Sequence, residues 1–202
     1  MPDFRAIDNS AEKIFESVLL KVQDQFEIKR KDHTIGLKLL SRFDQLKNYL
    51  TLYVHKVTEF KGNTNSFIIL LAEKHLTVNK GRKVRQDVEV EEIEPILIFN
   101  APVDMGKVFI TKETIADKIA DLFYKVDIDF KEYPTFSKNY FVVGEKPELV
   151  KIHLPKGLIE SLDKVEDMTV EINGNWGLVR PEKNLTENLL LLMVSIGFKM
   201  TK

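Results

Sequence analysis

The sequence predicts an α+β fold with a mixed, mostly antiparallel sheet of five or more strands and flanking helices at the N-terminus, the middle and the C-terminus. Three observations carry this. Two β-rich runs, 48–60 and 66–78, flank a Gly/Asn turn; the dipeptide Asn173-Gly174 separates two further short β-rich runs; and apolar residues recur at helical spacing near both ends of the chain.

Taken in order, Ser10 can cap a helix over 10–26, because Ile14, Phe15, Val18, Leu19, Val22 and Phe26 recur at three and four. The charged stretch 29–33 has no apolar period. Residues 33–41 turn Ile- and Leu-rich and read as a strand. Strands 48–60 and 66–78 then form a hairpin across Lys61-Gly-Asn-Thr-Asn65, whose Gly and Asn tolerate left-handed dihedrals. With its turn centred on Asn63, this hairpin sets Thr51 opposite His75 and Leu71 opposite His55. Phe67 to Ala72 is continuously apolar, the pattern of a strand covered on both faces.

Residues 79–82 read as a turn. Residues 87–91 alternate acid and valine, and 96–99 and 108–111 are short strands punctuated by Pro95 and Pro102. A helix begins at Thr111 or Thr114 and carries Ile115, Ile119, Leu122, Phe123 and Val126 on one face. Strands at 127–130 and 140–143 follow, then short helices at 147–154 and 156–164. Strand 168–173 turns at Asn173-Gly174 into 175–180, and Thr186 or Asn184 caps a last helix. We read one domain over 1–202, with a weak subdivision near 101–106.

Composition excludes several function classes. The 30 Lys and Arg nearly cancel the 31 Asp and Glu, for a net charge of -1, so no long-range field attracts nucleic acid or an anionic membrane. The chain has no cysteine, which removes disulfides and thiolate chemistry together and fits a reducing, cytoplasmic setting. The longest apolar run, 189–198, is about half of the roughly 20 residues a bilayer demands, so the sequence reads as soluble with no transmembrane segment. The N-terminal residues do not read as a signal peptide.

Catalytic and ligand signatures are weak throughout. His33, His55, His75 and His153 fall into no metal spacing, and no cofactor or metal is expected. Asp127, Asp129 and Glu132 can share a strand face, but the glycine and further acids of a cation loop are missing, and a solvated face is the stronger reading. Asp163, Glu166 and Asp167 read as a charged helix end. No nucleophile elbow or phosphate-binding glycine loop occurs. The basic cluster Lys80, Arg82, Lys83 and Arg85 is followed at once by Asp87, Glu89, Glu91, Glu92 and Glu94, which favours a salt-bridged edge over nucleic-acid binding.

The last helix is apolar on every side, and a helix of that kind must be hidden on nearly all faces. Packing against the sheet is the plain reading. The sharper one is an interaction surface of Leu189, Leu192, Met193, Ile196 and Phe198 with Trp176 of the adjacent hairpin, for a second copy of the chain or another protein.

The stretch from Phe136 through Tyr140-Phe-Val-Val143, the segment ending near Pro155, Leu158 to Leu162, and Met168-Thr-Val-Glu-Ile-Asn-Gly-Asn-Trp-Gly-Leu178 with its Leu-rich helix resembles an uncharacterised bacterial family, a domain of unknown function. The resemblance covers the C-terminal third. It rests on hydrophobic and turn positions, so it implies a fold and a bacterial origin and carries over no functional residue. Members of that family often have membrane segments upstream, and none is read in residues 1–202. The function expected from the whole sequence is a non-enzymatic interaction or scaffold domain; the alternative is a small-ligand binder or enzyme whose site is assembled from distant residues.

Overall fold

The structure, a computed structural model, describes residues 9–47, 51–62, 65–79, 87–112, 127–165, 167–181 and 183–200; at 51, 75–79 and 87–91 it describes the backbone alone. Helix α1 (Asn9–Val22) leads into strand β1 (Glu27–Lys31), helix α2 (His33–Leu40), a 3-10 turn (Asp44–Leu46) and strands β2 (Thr51–Lys61), β3 (Ser66–Asn79), β4 (Asp87–Asn100) and β5 (Lys107–Lys112). Then come α3 (Pro134–Asn139), β6 (Tyr140–Gly144), α4 (Pro147–His153), α5 (Lys156–Leu162), β7 (Met168–Asn173), β8 (Trp176–Pro181) and α6 (Glu187–Met200). The eight strands form one sheet in the order β1-β2-β3-β4-β8-β7-β5-β6, and every pairing is antiparallel. The α+β class and the helices at the N-terminus, middle and C-terminus are as the sequence predicts. The helix expected to start at Thr111 or Thr114 falls almost wholly on residues outside those described, as does the basic cluster of Lys80, Arg82, Lys83 and Arg85.

Alternation along the strands builds two cores. On the first face Phe67, Ile69, Leu71, Leu97, Phe99, Val170, Ile172 and Val179 meet Phe15, Val18 and Leu19 of α1 and Leu190, Met193 and Ile196 of α6. On the second face Leu70, Ala72, Ile96, Ile98 and Leu178 meet Leu40, Phe43 and Leu46. The unbroken apolar run in β3 is thus explained by cover on both sides. An aromatic cluster ties the first face together. Phe60 and Phe67, cross-strand partners in the β2–β3 ladder, stack at 5.0 Å, and Phe26 meets both edge-on at 5.7 and 5.6 Å and Phe198 of α6 at 5.5 Å.

Several elements depart from expectation for local reasons. Residues 33–40 are helical, not a strand: Asp32 sits at the N-cap, its carboxylate accepting from Thr34 N at 2.8 Å, and Gly36 lets the helix lie close on Val54 and Val57. The charged stretch from Glu27 is edge strand β1, and its Lys and Arg side chains discourage further edge pairing. Pro95 lies inside one long strand, β4, rather than between two. Residues 127–130 make no ladder; they run beside β6, where Ile128 N donates to Val142 O at 2.8 Å. Helix α3 was not anticipated, although Pro134 suits its first turn. The β7–β8 turn is centred on Gly174-Asn175, one residue later than expected: Asn173 pairs with Trp176, and Gly174 has φ +67°, glycine at the first central position of a tight hairpin.

Candidate functional site

Function concentrates on loops held by a rigid scaffold. In this protein three segments, 42–46, 101–106 and 145–146, meet at one end of the sheet beside the β7–β8 turn. Ala101 N donates to Asn175 O (2.8 Å), Met105 N to Gly174 O (3.0 Å), and Gly174 N to Gly106 O (3.0 Å). Residues 101–106 are therefore hydrogen-bonded to the hairpin tip along their length. Gly106 has φ +70°, and its N–H donates to the Asp104 carboxylate at 2.8 Å; that bond, then Lys146 beside it at 3.1 Å, holds the Asp104 carboxyl below its usual range.

Glu171 organises the second-face side of this end. It lies on β7, is wholly buried, and accepts from Asp44 N at 2.7 Å and Gln45 N at 2.9 Å. A carboxylate thus pins the first peptide groups of the 3-10 turn to the sheet, where those N–H groups have no helical partner. Burial pushes the Glu171 carboxyl up, and the Asp44 charge adds to this; the two N–H bonds and Lys107 oppose it. Asp44 is held down by Lys107 (2.7 Å) and Lys47, and Lys107 is raised in turn by Asp44. Two carboxylates in one cluster are therefore displaced in opposite directions.

The pinned segment carries Arg42, whose guanidinium lies 5.2 Å from the centroid of the Trp176 ring. Asn173 Nδ2 donates to Arg42 O at 2.8 Å and fixes the same residue through its backbone. Trp176, the single tryptophan, is half-buried on the second-face core, while Arg42 is exposed. The arrangement is a fixed cation-on-aromatic platform beside Asp44 and Lys107.

The other residues singled out in the sequence lie elsewhere. Met193 and Ile196 are fully buried in the first-face core, and Leu189, Leu192 and Phe198 are half-buried at its margin. Trp176 packs on the opposite face, so the six residues do not form one patch. His75 pairs with Thr51 as expected, but Leu71 faces Lys56, because a bulge between Val54 and Lys56 takes up His55. The His55 ring instead meets Glu73 at 2.7 Å, and both side chains are under a tenth exposed. Asp127 accepts from Val142 N at 2.8 Å, and burial, then the Asp129 charge, pushes its carboxyl up; it closes the β6 edge. Asp167 is paired with Lys112 and Lys183. Among the described residues no group of three or more His, Asp or Glu is placed to hold a metal ion, and no helix is long and apolar enough to cross a membrane.

Glu171 was missed by the sequence reading, and Glu94 was read only as the last of a run of acids on a salt-bridged edge. The signal for Glu171 was a lone acid inside an apolar strand, Met168-Thr-Val-Glu-Ile. No family model, no curated protein and no solved structure matches this chain.

Proposed function

We propose that the chain is a non-enzymatic interaction or scaffold domain of bacterial origin whose contact centre is the Trp176–Arg42 platform. One observation carries this reading: an exposed Arg is already seated on a half-exposed Trp, held by Glu171 through the 3-10 turn and by Asn173 through the backbone. Trp and Arg are the residues that most often dominate binding energy at protein interfaces. A platform fixed beforehand has less side-chain entropy to lose when a partner arrives. The half-buried flank of α6, Leu189 and Leu192, belongs to the other face. The proposed bacterial origin is inferred from the resemblance of the C-terminal third alone, and that resemblance adds nothing to the mechanism.

A small-ligand or enzymatic reading draws on the oppositely displaced carboxylates of Asp44 and Glu171. Against it, both Glu171 oxygens are engaged by peptide N–H groups and the side chain is fully buried, which suits a backbone anchor better than a proton donor to a substrate.

The test is in-cell photo-crosslinking with a photoreactive residue in place of exposed Ser41, beside the platform, and of exposed Leu20 on α1 as control. A discrete adduct at position 41, with the chain itself or with another protein, that is lost in Trp176→Ala and in Arg42→Ala is the expected result. Equal adducts at both positions, or an adduct indifferent to both substitutions, overturns the reading.

A further inference from the structure

The sheet is two four-stranded blocks in chain order, β1–β4 and β5–β8, and among the described residues their strands pair only where β4 meets β8, over Leu97↔Val179 to Asn100↔Trp176. The bond from Ala101 N to Asn175 O sets the phase of this seam, so alternation directs the Leu97 and Phe99 peptide groups at Val179 and Gly177. The next pair in the same phase would be Pro95 opposite Pro181, and neither has an N–H to give. Ile93, the following outward residue of β4, gives its carbonyl to Leu185 N at 3.1 Å instead of to β8. β4 meanwhile continues its ladder with β3 as far as Asn79↔Asp87.

Side chains take over where the backbone pairing stops. On the second face Glu94 Oε2 of β4 accepts from Arg180 Nη2 of β8 at 3.0 Å and from Lys74 Nζ of β3 at 3.3 Å, and Lys74 also reaches Glu92 at 2.8 Å. The Glu94 side chain is 2% exposed, and its Oε1 has no hydrogen-bond partner among the described residues. Burying three charged groups, Glu94, Arg180 and Lys74, is a poor route to stability, since desolvation opposes the attraction, but it fixes geometry strongly. At the opposite end of the seam the blocks are held by Glu171 under the 3-10 turn and by Asn173 on Arg42. Helix α6 crosses the first face, packed against β3, β4, α1 and α5.

We infer that the Arg180–Glu94–Lys74 cluster is a latch between the two blocks. While it is intact they behave as one sheet. When it is broken, the short seam opens from the Leu97/Val179 end, splaying the second face, while each block keeps its own ladders and the Trp176 end stays closed. This inference does not depend on what binds at Trp176.

The test is amide hydrogen exchange, read residue by residue on the full chain, for the wild type, Glu94→Gln and Arg180→Met. Both variants are expected to speed exchange at Leu97 and Val179 by at least about tenfold relative to Ile110 and Val170 in the β5–β7 ladder. Acceleration shared equally by all four amides, or none at Leu97 and Val179, overturns the latch. Should the variants fail to fold, the wild type in sub-denaturing urea decides: Leu97 and Val179 are expected to exchange through an opening with weaker urea dependence than Ile110 and Val170. A single dependence common to all four refutes the inference.

Discussion

Replacing Glu171 with glutamine separates the two roles of its carboxylate, acceptor and buried charge. As the carboxylate it satisfies two peptide N–H groups, at 2.7 and 2.9 Å. A glutamine can accept only one of them and turns its NH2 towards the other, leaving a buried donor unsatisfied at about 1–3 kcal/mol. Removing a desolvated charge returns part of this. The expected net loss at neutral pH is about 1–2 kcal/mol, a few degrees in Tm for a chain of this size. The pH dependence gives a second reading. The folded carboxyl is raised above its unfolded value, so its stabilising share is fully present below the unfolded value and is lost as pH rises through the folded one. Wild type therefore gains from Glu171 on acidification from about pH 7 to about pH 5, the variant does not, and the gap between them widens. Groups displaced in both proteins, such as Asp104 and Asp127, largely cancel in the difference. Urea denaturation at both pH values measures it. Equal stability, or a gap that does not change with pH, refutes the anchoring role.

Two further outcomes concern packing. In Gly36→Ala the new Cβ would stand 2.8 Å from Val54 Cγ1 and from Val57 Cγ2, both on stiff β-branched side chains. Overpacking of about 1–3 kcal/mol then outweighs the gain of roughly 1 kcal/mol in helix propensity, and thermal unfolding is expected at a lower midpoint. On α6, Met193→Ala removes a fully buried side chain and is expected to cost about 2–5 kcal/mol. Leu189→Ser at the half-buried margin is expected to cost less than half of that, and denaturation of the two variants side by side checks the ranking.

What could be read from the sequence follows from how local each signal is. The β2–β3 hairpin was legible because two β-branched runs flank a Gly/Asn turn, and α1 because its period is unbroken for four turns. Helix α2 was not, since the brief run 33–40 fits either period, and the deciding residue, the Asp32 cap, stands among charges that hide it. β4 was divided at Pro95 because a proline in a strand removes a donor. The structure shows the donor is not needed there, with Pro181 across the gap. The platform was half legible: Trp176 stood out as the one tryptophan, but Arg42, Asp44 and Glu171 come together only through pairing of residues more than a hundred positions apart.

Helix α6 follows the eight strands yet supplies Leu190, Met193, Val194 and Ile196 to a core whose other walls include β3, β4 and α1. Loop closure over so long a separation is slow compared with forming hairpins. During synthesis the β2–β3–β4 hairpins can assemble while the ribosome is still adding β7 and β8, and for that interval the first face has only α1 and Phe26 over it and stays exposed where α6 will lie. The order of translation therefore makes the first face the aggregation-prone side of the nascent chain, and the arrival of α6 is the event that ends that exposure.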